Sequence, residues 1–334
     1  MALYFGDNSA LGLGDESGGS YATTVSRANW LQGANYTVTR TVEKAVRRKL
    51  LANGGFQRNV PQPVREEVGL NMEIDLCFDF MGPLFQAIAG TAVSTTGSGP
   101  HVHTYEPTGA GLSEPGKFYT IEAWDGDSGN MRLLAGCCVN QATFTFSRNA
   151  FAALALDWIA ASVAAPASVG SPTYGAFDPV NMGAATTTLT WNSINIHSTD
   201  FDSITFTVNN NLQRAYSVAG GLYTGLPFYG NDLRSVTMQI NGLRYDDNVG
   251  DAFNTAQGQD PTTQSDAVLT ITDGADIIEL TMRNAYVDDA SQIPGITGPA
   301  DIRWSPTLIG TSDGTDPAYR LRVTNASSSG IANA

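Results

Sequence analysis

Leu70-Asn71-Met72-Glu73-Ile74-Asp75-Leu76-Cys77-Phe78-Asp79-Phe80 is the stretch that decides the fold. Every even position is apolar, and the odd positions are polar or small. Strict alternation with a period of two is typical of a β-strand that has one buried face and one face in water. The water face would carry three carboxylates, and a similar strand recurs at Val236-Thr237-Met238-Gln239-Ile240-Asn241. The pattern therefore predicts a mainly β protein.

Composition narrows the class of function. The chain has 334 residues, enough for two domains, and its net charge is −14 from 18 basic and 32 acidic residues. Such a chain is poorly suited to bind phosphate backbones through counterion release. Three cysteines, two of them adjacent, do not form a disulfide framework. No signal peptide is visible and no apolar run approaches the roughly 18 residues of a membrane span, so we expect a non-membrane protein made in a reducing compartment.

An ordered series of matches suggests an internal repeat. Gly54-Gly55 recurs as Gly220-Gly221, Thr41-Val42 as Thr207-Val208, and Met72 and Ile74 as Met238 and Ile240, all at an offset of 166. After a two-residue insertion, Phe85 and Gly90 of a short predicted helix match Phe253 and Gly258. A hairpin signal at Asp125-Gly126 matches one at Asp273-Gly274. The series favours a tandem duplication of one β-rich unit over chance alignment.

Changes in composition give the expected boundaries. We assign residues 1–29 to an N-terminal arm, 30–165 to a first domain, 166–185 to a linker, and 186–334 to a second domain. Residues 43–51, with the sequence EKAVRRKLL, have the propensity of a basic helix. The segment from Gly54 to Gly69 is predicted as a loop or long hairpin.

Catalytic motifs are missing from the sequence. His101 and His103 could form a metal pair, but no further ligand stands beside them in sequence. The carboxylates of Glu73, Asp75 and Asp79 would lie in a row on one strand, whereas catalytic pairs face each other across a cleft. The adjacent Cys137 and Cys138 are expected to pack rather than react. We predict that the protein is not an enzyme and needs no cofactor or metal.

The duplicated order of strand, long loop, strand, short helix and hairpin resembles the tail tube proteins of long-tailed bacteriophages. The resemblance is carried by Ser203 to Val208, the Gly220–Arg234 loop, Val236 to Tyr245 and the helix that ends at Gly258, with first-half counterparts from Thr39 to Gly90. It implies two tandem tail-tube-like β-sandwich or half-barrel domains, each with a short flanking helix and long loops. It also implies rings of six units that stack into a tube. A duplicated chain would form a trimeric, pseudo-hexameric ring, and a chain with one elaborated domain would form a hexamer.

The resemblance also implies roles for residues and partners. The expected positions facing the lumen, the central channel of the tube, are Glu73, Asp75, Asp79, Gln239 and Asn241. The expected ring-stacking loops contain Gly54, Gly55, Arg58, Arg65, Gly220, Gly221, Tyr229 and Arg234. An acidic lumen would hold a tape-measure protein and let DNA slide to the host during ejection without specific binding. Tail terminator and distal tail or baseplate proteins would meet the ends of the tube, in a virion assembled in the host bacterial cytoplasm.

The main alternative is a soluble binding module. A pair of carbohydrate-binding β-sandwiches could use the rings of Trp124, Trp158 or Trp304 as a stacking platform.

Overall fold

The structure, a computed structural model, describes 20 segments of the chain. They are residues 10–16, 21–31, 34–45, 48–50, 56–58, 62–89, 92–96, 99–107, 117–124, 131–165, 172, 174, 177–192, 194–197, 199–214, 228–229, 234–244, 265–288, 302–312 and 317–326. Strands dominate these residues, and the predicted mainly β fold is confirmed.

The described residues before position 166 form twelve strands and one helix. These elements are β1 (Ala10–Asp15), β2 (Asn29–Leu31), β3 (Asn35–Ala45), β4 (Arg48–Leu50), β5 (Phe56–Arg58), β6 (Gln62–Asp75), α1 (Gly82–Ala89), β7 (Ala92–Thr96), β8 (His101–Glu106), β9 (Tyr119–Trp124), β10 (Arg132–Ser147), β11 (Ala153–Ala160) and β12 (Ser162–Ala164).

The described residues after position 185 form thirteen further strands. These are β13 (Thr186–Trp191), β14 (Ile194–His197), β15 (Ser203–Asn209), β16 (Leu212–Gln213), β17 (Phe228–Tyr229), β18 (Ser235–Asn241), β19 (Leu243–Arg244), β20 (Ala267–Asp273), β21 (Asp276–Met282), β22 (Tyr286–Val287), β23 (Arg303–Trp304), β24 (Thr307–Gly310) and β25 (Tyr319–Asn325).

Eight antiparallel strands from both halves form one continuous sheet, which we call the joined sheet. Its order is β3-β6-β11-β10-β15-β18-β24-β22. The first four strands come from the first half and the last four from the second half. The two sets meet where β10 pairs with β15 over seven residues, from Gln141 opposite Asn209 to Ser147 opposite Ser203. We call this pairing the internal seam.

Two outer sheets complete the sandwich. The first has the order β2-β1-β9-β10-β12 and shares the long strand β10 with the joined sheet. The second has the order β14-β13-β20-β21-β25-β8-β7. Strand β10 changes sheets near two irregularities in its pairing, and Gly136, which lies within the first of them between Leu134 and Cys137, has a φ of 62°. The backbone N–H of Gly136 donates to the buried carboxylate of Glu16 at 3.0 Å, which fixes the bend.

The two halves build their sheets with the same order of strands. In the joined sheet, the first, second, fourth and third strands in chain order lie side by side in each half: β3-β6-β11-β10 and β15-β18-β24-β22. In the outer sheets, β2-β1-β9-β10-β12 matches β14-β13-β20-β21-β25. The short pairs β4·β5 and β16·β17 also follow the first inner strand of each half. The division at residues 166–185 and the duplication itself stay predictions.

The hydrophobic core runs without interruption through both halves. Side chains of one sheet face are buried from Leu70 and Trp158 on one side of the internal seam to Phe206 and Met238 on the other. Burial of this kind contributes about 25 cal/mol for each Å² of apolar surface. Part of the expected linker joins this core, since Val180 and Met182 are buried and Val180 exchanges backbone hydrogen bonds with Leu76 and Ala152.

Helix α1 fills the space between the joined sheet and the second outer sheet. Its Phe85 ring makes edge contacts with Phe144 of β10, at 5.7 Å between centroids, and with Tyr105 of β8, at 5.8 Å. The hydroxyl of Tyr319 donates to the carbonyl of Ile88 at 2.9 Å, which ties the helix to β25. The helix predicted from Pro83 to Gly90 is therefore confirmed, one residue earlier at its start.

Three sequence expectations need correction. Residues 10–15, assigned to the arm, form the buried strand β1, whose glycines accommodate close neighbours: a Cβ on Gly12 would lie 2.9 Å from the Trp30 ring. The basic helix expected over residues 43–51 is wrong, because β3 continues to Ala45 and Arg48–Leu50 form β4. The strand predicted from Leu70 to Phe80 ends at Asp75, where β6 finishes, and Cys77 beyond it is buried.

Other sequence expectations hold or lie outside the described residues. The long hairpin expected before Gly69 is confirmed, since β3 and β6 pair antiparallel from Asn35 opposite Glu73 to Ala45 opposite Gln62. The hairpin at Asp273-Gly274 is confirmed, with Gly274 at a φ of 59°. The second helix expected to end at Gly258 lies outside the described residues. No helix in the described segments is long and apolar enough to cross a membrane.

Candidate functional site

The candidate site is the polar face of the joined sheet. Because side chains alternate along each strand, one face turns to the core and the other away from it. The row opposite Glu73 runs across all eight strands of the joined sheet, and directly opposed residues share a face. Its members are Asn35, Glu73, Ala155, Thr143, Thr207, Thr237, Ile309 and Tyr286.

The neighbouring rows have the same character. One row contains Thr37, Asn71, Asp157, Gln141, Asn209 and Ser235. The next contains Asp75, Ala153, Thr145, Thr205, Gln239 and Thr307, and the last contains Ser147, Ser203 and Asn241. All of these side chains are at least partly exposed. Their opposite-face neighbours, such as Met72, Leu156, Phe144, Phe206 and Met238, are buried.

Charge on these four rows is unevenly distributed. The only charged side chains in the rows are the carboxylates of Glu73, Asp75 and Asp157, all from the first half. The second half presents threonine, serine, asparagine and glutamine, together with Ile309 and Tyr286, at the corresponding strands. Lysine and arginine do not occur in the rows, so the face is weakly acidic and otherwise uncharged.

The acidic part of the face is hollowed. A shallow, open depression of about 580 Å³ lies over β3, β6, β11 and β10, and its lining includes Asn35, Glu73, Thr143 and Asp157. The polar face therefore lies on a concave side of the sheet at this place. The depression is shallow and open, unlike the deep pocket that encloses a small ligand.

Asp157 is held at one end of the face by a β-bulge. Asn140 is the extra residue where the pairing between Val139 and Gln141 shifts, and its side-chain amide donates to the Asp157 carboxylate at 3.1 Å. The Asn140 side-chain oxygen accepts from the backbone N–H of Leu212 at 2.8 Å. The sequence analysis missed Asp157, although alternation along Ala153 to Ile159 could have placed it on the polar face.

The sequence-predicted lumen residues fall into two places. Glu73, Asp75, Gln239 and Asn241 share the polar face, and Asp75, Thr205 and Gln239 lie in one row. Asp79 does not belong to it, because it follows the end of β6 in a bend. Burial and then the charge of Asp79, followed by those of Asp273 and Asp178, raise the pKa of Asp276, so Asp79 lies near an acidic rim of the sandwich.

The expected ring-stacking residues are only partly described. Gly54, Gly55, Gly220 and Gly221 lie outside the described residues, whereas Arg58 ends β5 and Tyr229 ends β17. Arg65 is exposed on β6 and pairs with Glu67. Arg234 makes contacts within the chain: its Nε donates to Asn210 at 2.6 Å, and its guanidinium lies 5.7 Å from the Tyr319 ring centre.

Other candidate sites are occupied by structural contacts. His103 is buried between Thr95, whose hydroxyl lies 3.0 Å from Nδ1, and Asn325, whose side-chain oxygen lies 3.2 Å from Nε2. Among the described residues, no group of three His, Cys, Asp or Glu side chains is arranged to hold a metal ion. Cys137 and Cys138 are buried, and burial raises the pKa of both thiols.

The tryptophans do not form the platform that a carbohydrate-binding module needs. The Trp158 ring is fully buried and makes an edge contact with Tyr119 at 6.0 Å between centroids. Trp304 is 6% exposed, and Trp124 is half-buried at the end of β9. Stacking on a sugar requires an exposed ring face, so these residues serve the core rather than the alternative function.

The fold and this face define a class of protein: an antiparallel β-sandwich with a broad, polar, weakly acidic sheet surface. A family model described as phage tail tube protein matches residues 6–315, which is nearly the whole chain. The chain therefore belongs to the phage tail tube protein family, and it is a structural protein of the virion that assembles into a tube. A search of curated proteins found no match.

Proposed function

We propose that the joined sheet forms the inner wall of the tail tube, with its polar face towards the lumen. The observation that carries this proposal is the exposed face of four mostly polar rows, which spans both halves and contains three carboxylates and no cation. A wall with this chemistry repels a phosphate backbone and offers it no cationic partner. DNA would slide along it during ejection, and before ejection the lumen would hold a tape-measure protein.

The joined sheet also supports closure into a ring. In the described residues, β3 pairs only with β6 and β22 pairs only with β24, so both ends of the sheet are edges. Exposed edges favour pairing with another chain, and closing a ring removes them. The edge at β3 differs from the edge at β22, so each chain would meet the next head to tail, which is the arrangement that generates rings.

The number of strands favours three chains over six. Three joined sheets would supply about 24 strands, which at about 4.8 Å spacing and 40° tilt close at a backbone diameter of about 50 Å. Side chains would narrow this by roughly 10 Å, which leaves a lumen of about 40 Å, wide enough for a DNA duplex of about 20 Å. Six chains would double the diameter and leave the lumen mostly empty. The shared strand order of the two halves supports the same reading, namely a duplicated chain in a pseudo-hexameric trimer.

Tail terminator and distal tail proteins would then meet the two ends of the stack. The strands β4 and β5, which include Arg48 and Arg58, adjoin in sequence the end of the β3–β6 hairpin where Ala45 lies opposite Gln62. Asp79 and Asp276 lie beyond its other end, after β6 has finished. This opposition of charge would favour stacking of rings in one direction.

Imaging of the purified protein tests the proposal. Negative-stain images should show rings or tubes with a central hole, and light scattering of single rings should give about 106 kDa, three times the chain mass of 35.3 kDa. A ring of about 212 kDa would replace the trimer with a hexamer. Particles that remain monomeric at high concentration would overturn the proposed assembly.

A further inference from the structure

We propose that neighbouring chains pair β22 against β3 in the same register that β10 and β15 use inside one chain. This inference rests on the proposed function, because it names the surface through which one copy meets the next. In the proposed pairing, Val287 of one chain lies directly opposite Val38 of the following chain. The internal seam supplies the argument, since it already joins the last inner strand of one half to the first inner strand of the other.

The register follows from equivalent positions in the two halves. Met72 pairs with Tyr36 and Leu156, and Met238 pairs with Phe206 and Leu308, so these positions correspond across the joined sheet. One strand further, Ala142 pairs with Leu156 in the first half. In the second half, Val287 pairs with Leu308. Val287 is therefore the counterpart of Ala142.

The same comparison fixes the position on β3. Val208 pairs with Val236, and Val38 pairs with Leu70, so Val38 is the counterpart of Val208. At the internal seam, Ala142 lies opposite Val208. The equivalent pair between chains is Val287 opposite Val38, which also places Tyr286 opposite Thr39. Core-facing residues meet core-facing residues, and polar-face residues meet polar-face residues, as any continued sheet requires.

The difference in burial between Val208 and Val38 supports the proposal that another chain covers β3. Val208 is fully buried beneath the internal seam, whereas Val38 is only half-buried at the edge. An open cleft of about 320 Å³ lies beside Val38 and is lined by Val163, Ala164 and Ala165 and by the side chains of Arg40 and Arg132. The two layers of the sandwich are therefore not closed at this edge. The core-facing side chain of Val287, which is already buried in its own chain, would extend the apolar layer towards this cleft.

The internal seam is reinforced in both layers, which shows what such a junction requires. In the joined sheet, the rings of Phe144 and Phe206 make an edge contact across it, with 6.0 Å between centroids. In the outer layer, β8 of the first half pairs with β25 of the second half, from His101 opposite Asn325 to Tyr105 opposite Leu321. The short strand β22 offers only Tyr286 and Val287, so a correct register is needed for any useful contact.

Cysteine cross-linking tests the register. Directly opposed residues of antiparallel strands have Cα atoms about 4.5–5.5 Å apart, within the range that a disulfide bridges. The double variant Thr39→Cys, Tyr286→Cys should form disulfides between chains when tubes are assembled under reducing conditions, imaged and then oxidised. Non-reducing gels should show dimers and trimers and then stop. Val38→Cys with Val287→Cys probes the same register from the core side.

A matched control keeps the Tyr286→Cys substitution and places the second cysteine at another position on the same face of β3. Asn35→Cys lies four residues from Thr39, about 13 Å along the strand, so this pair should not cross-link. The native thiols at Cys77, Cys137 and Cys138 are buried and give little background. The expected yield of the in-register pairs is at least ten times that of the control.

The outcomes separate this inference from the proposed function. Two results would overturn the register without affecting the proposed tube. One is stronger cross-linking in the Asn35 pair than in the in-register pairs. The other is no cross-linking in either in-register pair although tubes assemble normally. Failure of the unsubstituted chain to form rings or tubes overturns both. Efficient cross-linking of either in-register pair supports the inference.

Discussion

The two halves of the joined sheet have the same strand order and the same buried face but different polar faces. Leu70 and Met72 of β6 correspond to Val236 and Met238 of β18, and all four are buried. On the other face, the first half presents Glu73, Asp75 and Asp157, and the second half presents neutral side chains at the same strands. The buried face is therefore constrained by packing, which leaves the charge of the polar face open to the demands of function.

A second difference concerns the neighbours of each half. Strand β10 covers one edge of β15 within the chain. The equivalent edge of β3 is not paired with any of the described strands. In the proposed assembly, equivalent residues would serve folding in one half and contact between chains in the other. Substitutions at equivalent positions should separate these two roles.

The largest effect is expected from the core beneath the internal seam. Phe206→Ala removes a fully buried ring in contact with Phe144 and should lower the free energy of unfolding by about 3–5 kcal/mol. Thr207→Ala, one residue along and on the polar face, should cost less than about 1 kcal/mol. Urea unfolding followed by circular dichroism measures both. Equal losses would contradict the assignment of the two faces.

The next largest effect is expected on assembly of the tube, from substitutions at the β3 edge of the joined sheet. Val38→Asp places a charge at the contact proposed between chains, so the protein should fold but fail to form tubes. Val208→Asp, at the equivalent internal position, should prevent folding, because it buries an unpaired charge. Thermal unfolding and negative-stain images distinguish the two results. Normal tubes from Val38→Asp would show that the edge of β3 is not used.

The charge of the polar face should alter the passage of DNA without altering assembly. Glu73→Lys with Asp75→Lys changes the charge of the four rows from −3 to about +1 per chain, and tubes should then retain DNA in a salt-dependent way. Thr205→Lys with Gln239→Lys adds two lysines in the second half but leaves the rows at about −1, so retention should be weak. Binding of labelled DNA at several salt concentrations compares them. Equal retention by both variants would argue against an acidic lumen.

The smallest effect concerns the buried thiols. Burial, assisted by the charge of Asp75, raises the pKa of Cys77 to about 12, and burial also raises the pKa of Cys137. A raised thiol pKa stabilises the fold fully below the ordinary value of 9.0, and this contribution is lost as the pH rises above it. Native protein at pH 8 should therefore resist iodoacetamide, whereas urea-unfolded protein should be alkylated at all three cysteines. Mass spectrometry reads the labels, and rapid labelling of native Cys77 would contradict its burial.

Alternation in the sequence predicted β6 and β18, because one face of each strand is buried from Leu70 to Ile74 and from Val236 to Ile240. It failed where tertiary contacts override local preference. Residues 43–45 have helical propensity but extend β3, since they pair with the start of β6 opposite Arg65, Pro63 and Gln62. Strand β1 was missed because Gly12 and Gly14 have low strand propensity, although the close approach of Trp30 and Ser26 requires them there.

The repeat illustrates what an alignment without structure can and cannot give. The duplication stays a prediction, and the strand pairings fit the offset of 166 at β6 and β18 but not at Thr41-Val42 and Thr207-Val208. The structure matches Val38 to Val208, because 32 residues separate Val38 from its partner Leu70 and 28 separate Val208 from Val236. The first hairpin is thus four residues longer. The polar face could be predicted only in part, since the rows across strands depend on pairings between residues far apart in sequence.

Cryo-electron microscopy of the assembled tube tests the central claim most directly. We expect three chains per ring, a continuous inner cylinder built from the joined sheets, and Glu73, Asp157 and Gln239 lining a lumen of about 40 Å. A map in which these residues face the outside of the tube, with another sheet lining the lumen, would contradict the account.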